Sequence, residues 1–196
     1  MNAVTLRARV TRPYYRRHLA HYGARAIVHK PIWVYGAHLM SIGDDALILN
    51  GCSLSVESFA WKATEPVLRI GNRVGIRPYC TISASEQVII EDDVIVGAFT
   101  GIVDSDHTFA DGRPNVMHNR VETAPVRIGR GTWLGERVSV LKGATIGRCC
   151  MVGAGSVVRG DIPDLSIAVG APARVVGQVE GVDPDSATLD ASLWGT

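Results

Sequence analysis

Residues 128–163 read IGRGTW LGERVS VLKGAT IGRCCM VGAGSV VRGDIP, six hexads that each begin with an aliphatic residue. The six starting residues are Ile128, Leu134, Val140, Ile146, Val152 and Val158. This period excludes an α-helix, in which apolar residues recur about every 3.6 positions. A hexad accommodates a short strand and a tight corner, and a glycine, which suits such a corner, follows the aliphatic residue in four of the six hexads. The stretch therefore predicts a solenoid of short strands.

The same phase recurs upstream in three blocks of three hexads, 42–59, 70–87 and 90–107. Three flat sides of six residues close a prism, and its coils stack about 4.8 Å apart through parallel hydrogen bonds. Together with 128–145 and 146–163, these blocks predict an all-β fold of about five coils. The narrow interior of such a prism explains why the 196 residues are 46% hydrophobic but only 6% aromatic.

Length and composition exclude several other classes of protein. A chain of 196 residues fits one domain, and its high apolar content argues against disorder. The longest uncharged apolar stretch, 31–43, is too short to span a bilayer, and residues 1–30 lack the apolar core of a signal peptide. The four cysteines have no zinc-type spacing, so we expect a cytoplasmic protein with reduced thiols.

The breaks in the repeat indicate where function lies. Residues 60–69, 88–89 and 108–127 fall between coils, so they leave the prism at one common corner. The last of these is a long polar loop, and long loops on rigid scaffolds are often functional. At that corner Glu86 and Asp106 occupy a position that is otherwise small or β-branched, and His107 follows directly. Carboxylates there are costly unless they are paired or turned out into a site, so we predict a functional site around His107.

Several motifs together resemble the hexapeptide-repeat acyltransferases. They are the hexads, Asp106-His107-Thr108-Phe109, Trp133-Leu134-Gly135, and the segments 153–158 and 170–176. The resemblance covers about residues 40–177 and is closest to galactoside, maltose and xenobiotic O-acetyltransferases and to the O-acetyltransferases of surface-polysaccharide synthesis. It implies a left-handed parallel β-helix, a homotrimer with active sites between subunits, and acetyl-CoA as donor.

The resemblance also implies roles for individual residues. His107 matches the general base, which removes the proton from the acceptor, and Asp104 or Asp106 could orient its imidazole. On the donor side, Trp133 should wall the pantetheine channel, and CoA should contact the backbone around the Gly-Ala-Gly-Ser segment. The residues that this assigns to CoA are Trp133, Gly135, Gly153, Ala154, Arg159 and Arg174, the last two near the phosphates. Many relatives carry Lys or Arg where this chain has Gly160 and Gly177.

On the acceptor side we expect Tyr79, Glu86 and the 108–125 loop. Tyr79 stands where sugar acetyltransferases of the lactose type carry an asparagine, which favours a nucleotide sugar or a polysaccharide precursor over a simple galactoside or maltose. The predicted activity is therefore O-acetylation of a sugar, a nucleotide sugar or a surface-polysaccharide precursor. N-acetylation of an amino sugar on the same scaffold and a non-catalytic β-helix module remain alternatives.

A rival enzyme class builds a similar prism, the γ-type carbonic anhydrases, in which three histidines hold zinc across a subunit interface. That chemistry requires three ligands near the loop corner, and the sequence offers only His107 and His118 there. We therefore expect no metal site.

The two ends of the chain carry opposite charges. Residues 1–43 contain seven Lys or Arg and no acid, whereas the charged residues after Arg174 are all acidic. The net charge of the whole chain is nevertheless only +1. We predict a basic cap over 1–41, a β-helix domain over 42–177 with the loop insertion 108–127, and a polar tail over 178–196. The basic arm is either a solvated cap or a peripheral membrane contact. Nucleic-acid binding is not expected, because basic and aromatic residues do not interleave.

Overall fold

The computed structural model describes residues 12–185 except 58, 59, 61, 110, 111 and 113. A helix over 12–18 comes first, 3₁₀ helices occupy Ala37–Leu39 and Val116–His118, residues 60 and 62 are also in 3₁₀ conformation, and the other regular structure in the described residues is short strands. In chain order the strands are β1 (His21–Tyr22), β2 (Ile27–Val28), β3 (Trp33–Tyr35), β4 (Met40–Ile42), β5 (Leu47–Ile48), β6 (Ser53–Val56), β7 (Leu68–Ile70), β8 (Gly75–Ile76), β9 (Thr81–Ala84), β10 (Val88–Ile90), β11 (Ile95–Val96), β12 (Gly101–Val103), β13 (Ser105–His107), β14 (Val121–Thr123), β15 (Val126–Ile128), β16 (Trp133–Leu134), β17 (Ser139–Val140), β18 (Thr145–Ile146), β19 (Met151–Val152), β20 (Val157–Val158), β21 (Asp161–Ile162), β22 (Ser166–Gly170) and β23 (Ala173–Gln178).

Three parallel sheets form the faces of a prism, which we name faces A, B and C. Their strand orders are β1-β4-β7-β10-β15-β18-β21 for face A, β2-β5-β8-β11-β16-β19-β22 for face B, and β3-β6-β9-β12-β17-β20 for face C. The chain visits the faces in turn, so each coil adds one strand to each sheet. The register places hexad starts opposite one another, for example Ile42 opposite Ile70 and Ile70 opposite Ile90. This pairing confirms the predicted all-β prism.

The β-helix begins one coil earlier than predicted. Strands β1, β2 and β3 pair in parallel with β4, β5 and β6, so the boundary expected at residue 42 lies inside the solenoid. The six-residue spacing does continue through Tyr22, Val28 and Val34, but Tyr22 is not aliphatic, and a rule based on Ile, Leu and Val misses it. The Tyr22 hydroxyl donates to the carbonyl of Ala26 at 2.6 Å, which satisfies its polar group at the end of the prism.

The true cap is therefore the helix over 12–18. It buries Tyr15, and the Tyr15 ring stacks on that of Tyr22 with 5.8 Å between centroids. At the other end, β21 and β22 begin a further coil, and β23 doubles back antiparallel on β22. Residues 1–11 and 186–196, parts of the predicted cap and tail, lie outside the described residues. No helix in the described part of the chain is long and apolar enough to cross a membrane.

Side chains at the corner between faces A and B tie successive coils together. The carboxylate of Asp44 accepts the N–H of Ala24 at 2.6 Å, the Asn72 side chain accepts the N–H of Asp44 at 2.8 Å, and the Asp92 carboxylate accepts the N–H of Asn72 at 2.8 Å. Each of these corner N–H groups is thus paired by the coil that follows it. Stacking is specified by these polar bonds as well as by the aliphatic interior.

The buried cysteines are packing residues. Cys52, Cys80 and Cys150 are almost completely buried at the small interior position. Their thiols contact backbone carbonyls, for example Cys80 Sγ with Gly97 O at 3.1 Å and Cys150 Sγ with Pro163 O at 3.0 Å. Burial raises the pKa of Cys150, so its thiol stays protonated at neutral pH.

Candidate active site

The long loop leaves the prism on a short antiparallel ribbon. After β12 the chain turns away from face C, and β13 pairs with β14 so that Asp106 lies opposite Glu122 and His107 opposite Val121. His107 is the last residue of β13, and its side chain is exposed. The ribbon stands at the corner between faces C and A, where the interruptions of the repeat predicted a functional loop.

A buried carboxylate anchors this ribbon to the neighbouring coil. Asp104 is completely buried, and its carboxylate accepts the backbone N–H groups of Ser85, Glu86 and Gln87 at 2.7–2.9 Å. Its carbonyl accepts the N–H of Ala124, at the far end of the ribbon, at 3.0 Å. Burial raises the pKa of Asp104, and the three N–H groups act in the opposite direction by stabilising the carboxylate. Asp104 thus determines where the ribbon leaves the prism.

Charged side chains hold the ribbon from outside. Lys142 Nζ lies 2.8 Å from Glu122 Oε2 and 3.7 Å from Asp106 Oδ2. The hydrogen bond with Glu122 raises the pKa of Lys142. On the other strand, the Thr123 hydroxyl donates to Glu86 Oε2 at 2.6 Å. Glu86 and Asp106 therefore share the corner, as predicted, and both carboxylates are turned out of the interior.

The structure does not give His107 the carboxylate partner that the sequence suggested. The Asp104 carboxylate is used by three backbone N–H groups, and the Asp106 carboxylate lies towards Lys142. Among the described residues, no side chain makes a hydrogen bond with the imidazole of His107. Neither Asp104 nor Asp106 therefore orients this imidazole in the structure, contrary to the expectation from the sequence.

Tyr79 lies at another corner, between faces B and C. Its backbone has a φ of 62°, and its ring stacks on Phe99 with 5.2 Å between centroids and 11° between planes. The Arg137 guanidinium lies 5.1 Å from the centroid of Phe99. Gly51 lies beneath Tyr79, where an added Cβ would fall 2.4 Å from the tyrosine ring. We call Tyr79, Phe99 and Arg137 the corner stack.

Phe99 and Arg137 are candidate site residues that sequence reasoning missed. About half of each ring in the stack is exposed, 50% for Tyr79 and 51% for Phe99, so the stack presents ring edges to solvent. A signal for it was present, because all three residues occupy the fourth position of a hexad. That position is the corner, and three large side chains there necessarily meet once the coils are in register.

Four of the residues predicted to contact CoA lie on later coils, on face B or at its corner with face C. Trp133 projects from the outer side of face B and is 47% exposed. Gly135 and Ala154 are stacked so closely that a Cβ on Gly135 would fall 2.6 Å from the Ala154 nitrogen. Gly153 is similarly close to the Val169 side chain, at 2.7 Å. Trp133, Gly153 and Ala154 are accessible to solvent next to the corner stack, whereas Gly135 is buried against Ala154.

The two predicted arginines lie apart from each other. Arg174 is on β23, opposite Val169, and its Nη1 donates to the Ala173 carbonyl at 3.0 Å. Arg159 directly follows β20, so it lies at the corner between faces C and A, the corner that carries the His107 ribbon. Both side chains are exposed.

Within one chain, face C separates the His107 ribbon from the corner stack and the Trp133 surface. A side of six residues is on the order of 15–20 Å wide at about 3.3 Å per residue. A single chain therefore presents the two halves of the predicted site on different corners.

One further concave feature lies on face A, away from both of these corners. A groove of about 470 Å³ on face A is lined by residues that include His21, Arg69, Glu91 and Arg130, and by none of the predicted site residues. The described residues contain no group of three or more His, Cys, Asp or Glu side chains able to hold a metal ion.

Comparison with known proteins agrees with this architecture. A model of the bacterial transferase hexapeptide family (six repeats) matches residues 125–160. A putative lipopolysaccharide biosynthesis O-acetyl transferase, WbbJ of Escherichia coli, is 30% identical over 157 residues, which cover 76% of this chain and 77% of that protein. A probable acetyltransferase of Mycobacterium tuberculosis, Rv3034c, is 44% identical over 115 residues, 59% of this chain but only 38% of the relative's length.

Solved structures share the fold at lower identity. AntD, an N-acyltransferase from Bacillus cereus solved with dTDP and 3-hydroxybutyryl-CoA, has a TM-score of 0.72 at 19% identity, covering 87% of this chain and 88% of that one. A hexapeptide-repeat acetyltransferase of Vibrio cholerae, VCA0836, solved with acetyl coenzyme A, has a TM-score of 0.61 at 20% identity, covering 88% and 78%. The chain belongs to the hexapeptide-repeat acyltransferase family, and its fold is the left-handed parallel β-helix that the resemblance implied.

Proposed function

We propose that the protein is an acetyl-CoA-dependent O-acetyltransferase that acts on a hydroxyl group of a sugar, a nucleotide sugar or a surface-polysaccharide precursor. The observation that carries the proposal is the exposed His107 at the end of β13, on a ribbon that Asp104 anchors to the adjacent coil. The O-acetyl transferase name of the Escherichia coli relative supports the choice of a hydroxyl acceptor.

In the proposed reaction His107 is the general base. Its neutral imidazole takes the proton of the acceptor hydroxyl as the hydroxyl oxygen attacks the thioester carbonyl. Backbone N–H groups stabilise the oxyanion of the tetrahedral intermediate. The carbon–sulfur bond then breaks, the acetyl group stays on the acceptor, and the departing thiolate takes the proton from the imidazolium. The transfer is direct, and no acyl-enzyme forms.

Asp104 acts in this scheme as a positioning residue. It bonds three backbone N–H groups of the coil below and the N–H of Ala124, so it fixes both ends of the ribbon that carries His107. Lys142 holds the ribbon from outside through Glu122 and Asp106. Rigid support of this kind keeps a catalytic group within the small displacements that efficient transfer tolerates.

We assign acetyl-CoA to the surface formed by Trp133, Gly153 and Ala154, with Gly135 packed against the Ala154 backbone and Arg174 near the phosphates. The separation of this surface from His107 in one chain supports a homotrimer in which the two corners meet across a subunit interface. In that arrangement Arg159 approaches the donor from the subunit that supplies His107. Tyr79 and the rest of the corner stack then face the acceptor, together with Glu86 and the 108–125 loop.

The compartment is part of the proposal. All four cysteines are free, and the three at interior positions are buried. Free thiols are typical of a reducing compartment, so we place the reaction in the cytoplasm.

Acyl transfer to an amine is the second candidate, and the shared fold of AntD, an N-acyltransferase, is the observation that favours it. A panel of sugars, nucleotide sugars and their amino counterparts, assayed with acetyl-CoA and analysed by mass spectrometry, separates the two. Ester products that hydroxylamine cleaves support O-acetylation, and amide products that resist hydroxylamine support N-acetylation.

Donor binding is tested separately by calorimetry with CoA. We expect Ala154→Tyr to abolish binding, because Ala154 is exposed on the proposed donor surface. The matched control is Ala24→Tyr, a substitution at an exposed alanine on the corner between faces A and B, which should bind CoA like the wild type. Failure of the wild type to bind CoA would instead favour a non-catalytic module.

A further inference from the structure

The N-terminal end of the prism differs from the rest of the surface. Strands β1, β2 and β3 are the outermost strands of the three faces, and the buried core at this end includes Tyr15 of the helix over 12–18 and Leu19, which follows the helix. We call the exposed residues of 12–35 the N-terminal end surface. It lies at the opposite end of the prism from β22 and β23, and it contains none of the residues assigned to acyl transfer.

Large apolar side chains are exposed on this surface. Ile32 is 72% exposed, Tyr14 is 60% exposed and Trp33 is 56% exposed. The Trp33 ring lies 6.0 Å from that of Tyr35 on the outer strand of face C. Side chains of this size are normally covered when they cluster at one end of a domain, so their exposure indicates a binding surface.

The same surface carries an excess of positive charge. Residues 12–43 contain five Lys or Arg and no acid. Arg25 is neutralised, because its Nε donates to Asp45 at 2.6 Å. Arg16, Arg17 and Lys30 are exposed, and none of them has an ion-pair partner among the described residues. By contrast, Arg73, Lys142 and Arg148 on later coils are paired with carboxylates.

We propose that the N-terminal end surface binds the face of an anionic phospholipid bilayer. Trp and Tyr side chains favour the boundary between headgroups and acyl chains, and Ile32 gains by leaving water. Arg16, Arg17 and Lys30 then contact lipid phosphates, each contributing in the field of an anionic membrane. Nucleic acid fits less well, because it would use the cations and leave Ile32 in water. The arrangement would hold the acyltransferase near acceptors that are attached to lipid.

Vesicle sedimentation with the full-length protein tests this inference. We expect binding to vesicles of phosphatidylcholine with phosphatidylglycerol, little binding to pure phosphatidylcholine, and weaker binding as salt rises. Arg16→Gln/Arg17→Gln should weaken binding about thirty-fold, from roughly a five- to sixfold loss per charge. Ile32→Ser/Trp33→Ser should weaken it by at least about tenfold, because the apolar contact is lost.

Matched variants elsewhere on the surface are the controls. Arg69→Gln/Arg127→Gln removes two charges from the outer side of face A, and Phe109→Ser removes a side chain that is 70% exposed on the long loop. Both should bind vesicles like the wild type. Equal binding by the wild type and both N-terminal variants would overturn the inference. So would a wild type that fails to sediment while Ile32→Ser/Trp33→Ser lowers its mass in solution, which would make the surface a contact between copies of this chain.

Discussion

A single buried carboxylate, Asp104, explains why the ribbon and His107 stand where they do. Sequence reasoning placed His107 correctly at the corner where the hexads break, because that break is visible in the spacing. It named Asp104 only as a candidate to orient the imidazole and missed its role as the anchor of the ribbon, because the residues that Asp104 bonds precede it by 17–19 positions and become neighbours only through the register between coils. Long-range polar contacts of this kind follow from the fold and not from a local pattern.

Replacing Asp104 should lower the free energy of unfolding substantially. Asp104→Ala leaves three backbone N–H groups without an acceptor in a buried place, and we expect a loss of about 3 kcal/mol or more in the free energy of unfolding. Urea denaturation followed by circular dichroism measures it. Asp106→Ala, at an exposed carboxylate two residues away, should change stability by no more than about 0.5 kcal/mol. Equal losses in the two variants would show that Asp104 does not anchor the ribbon.

At the scale of the elements, the coil is the unit that the sequence predicts best. The aliphatic residue at every sixth position gave the strands, the faces and the register, since only that spacing stacks one hexad start on the next. The first coil was missed because Tyr22 stands where the rule expects Ile, Leu or Val. The corner stack was missed for a different reason, because its three members belong to separate coils and only the register brings them together.

Because the coils approach each other closely only at some positions, replacing two glycines four positions apart by alanine should have different effects on stability. In Gly97→Ala the new Cβ would fall 2.4 Å from the backbone of Gly135, so the coils must separate, and we expect a loss of about 2–3 kcal/mol. In Gly101→Ala the Cβ meets nothing within 4 Å, and we expect a change within about 0.5 kcal/mol. Thermal and urea unfolding of both variants measure the difference. A Gly97→Ala variant as stable as the wild type would mean that the coils are not packed this closely.

The loss of stability at acidic pH should depend on an ion pair at the corner between faces A and B. Hydrogen bonds from the backbone N–H and then the guanidinium of Arg148 lower the pKa of Asp164. The stabilisation is therefore complete above the ordinary pKa of an aspartate, about 3.9, and is lost as the pH falls through the lowered value. Asp164→Asn should be less stable than the wild type near neutral pH, and the difference should shrink as the pH falls towards 2. Urea midpoints between about pH 2 and 7 measure it.

The control for this pH dependence is Glu65→Gln. Glu65 is highly exposed, and its carboxylate lies 3.9 Å from Arg69, a distance at which a surface pair contributes little. Its difference from the wild type should stay small at every pH. If the Asp164→Asn difference were also independent of pH, the pairing of Asp164 with Arg148 would not be the source of the loss of stability at acidic pH.

At the scale of the whole molecule, the two halves of the proposed site lie on different corners of one chain. The proposed homotrimer joins them, with a mass of about three times 21.0 kDa. Co-expression of His107→Ala with Ala154→Tyr tests whether the two corners meet between neighbouring subunits. Subunits that mix at random restore an intact His107 beside an intact donor surface in about a quarter of the interfaces, so we expect about a quarter of the wild-type activity. A site that lies within one chain predicts no activity from the same mixture.

The role of His107 as general base is tested by the rate constant for acetyl transfer in His107→Ala. With the acceptor found in the panel and saturating acetyl-CoA, we expect kcat to fall by about 10²–10⁴-fold, because a positioned general base contributes that much. CoA affinity and the urea midpoint should stay at wild-type values, because His107 is exposed and is not among the residues to which we assign CoA binding. His21→Ala, at an exposed histidine on face A, should keep full activity. A His107→Ala enzyme with the wild-type kcat would show that His107 is not the general base.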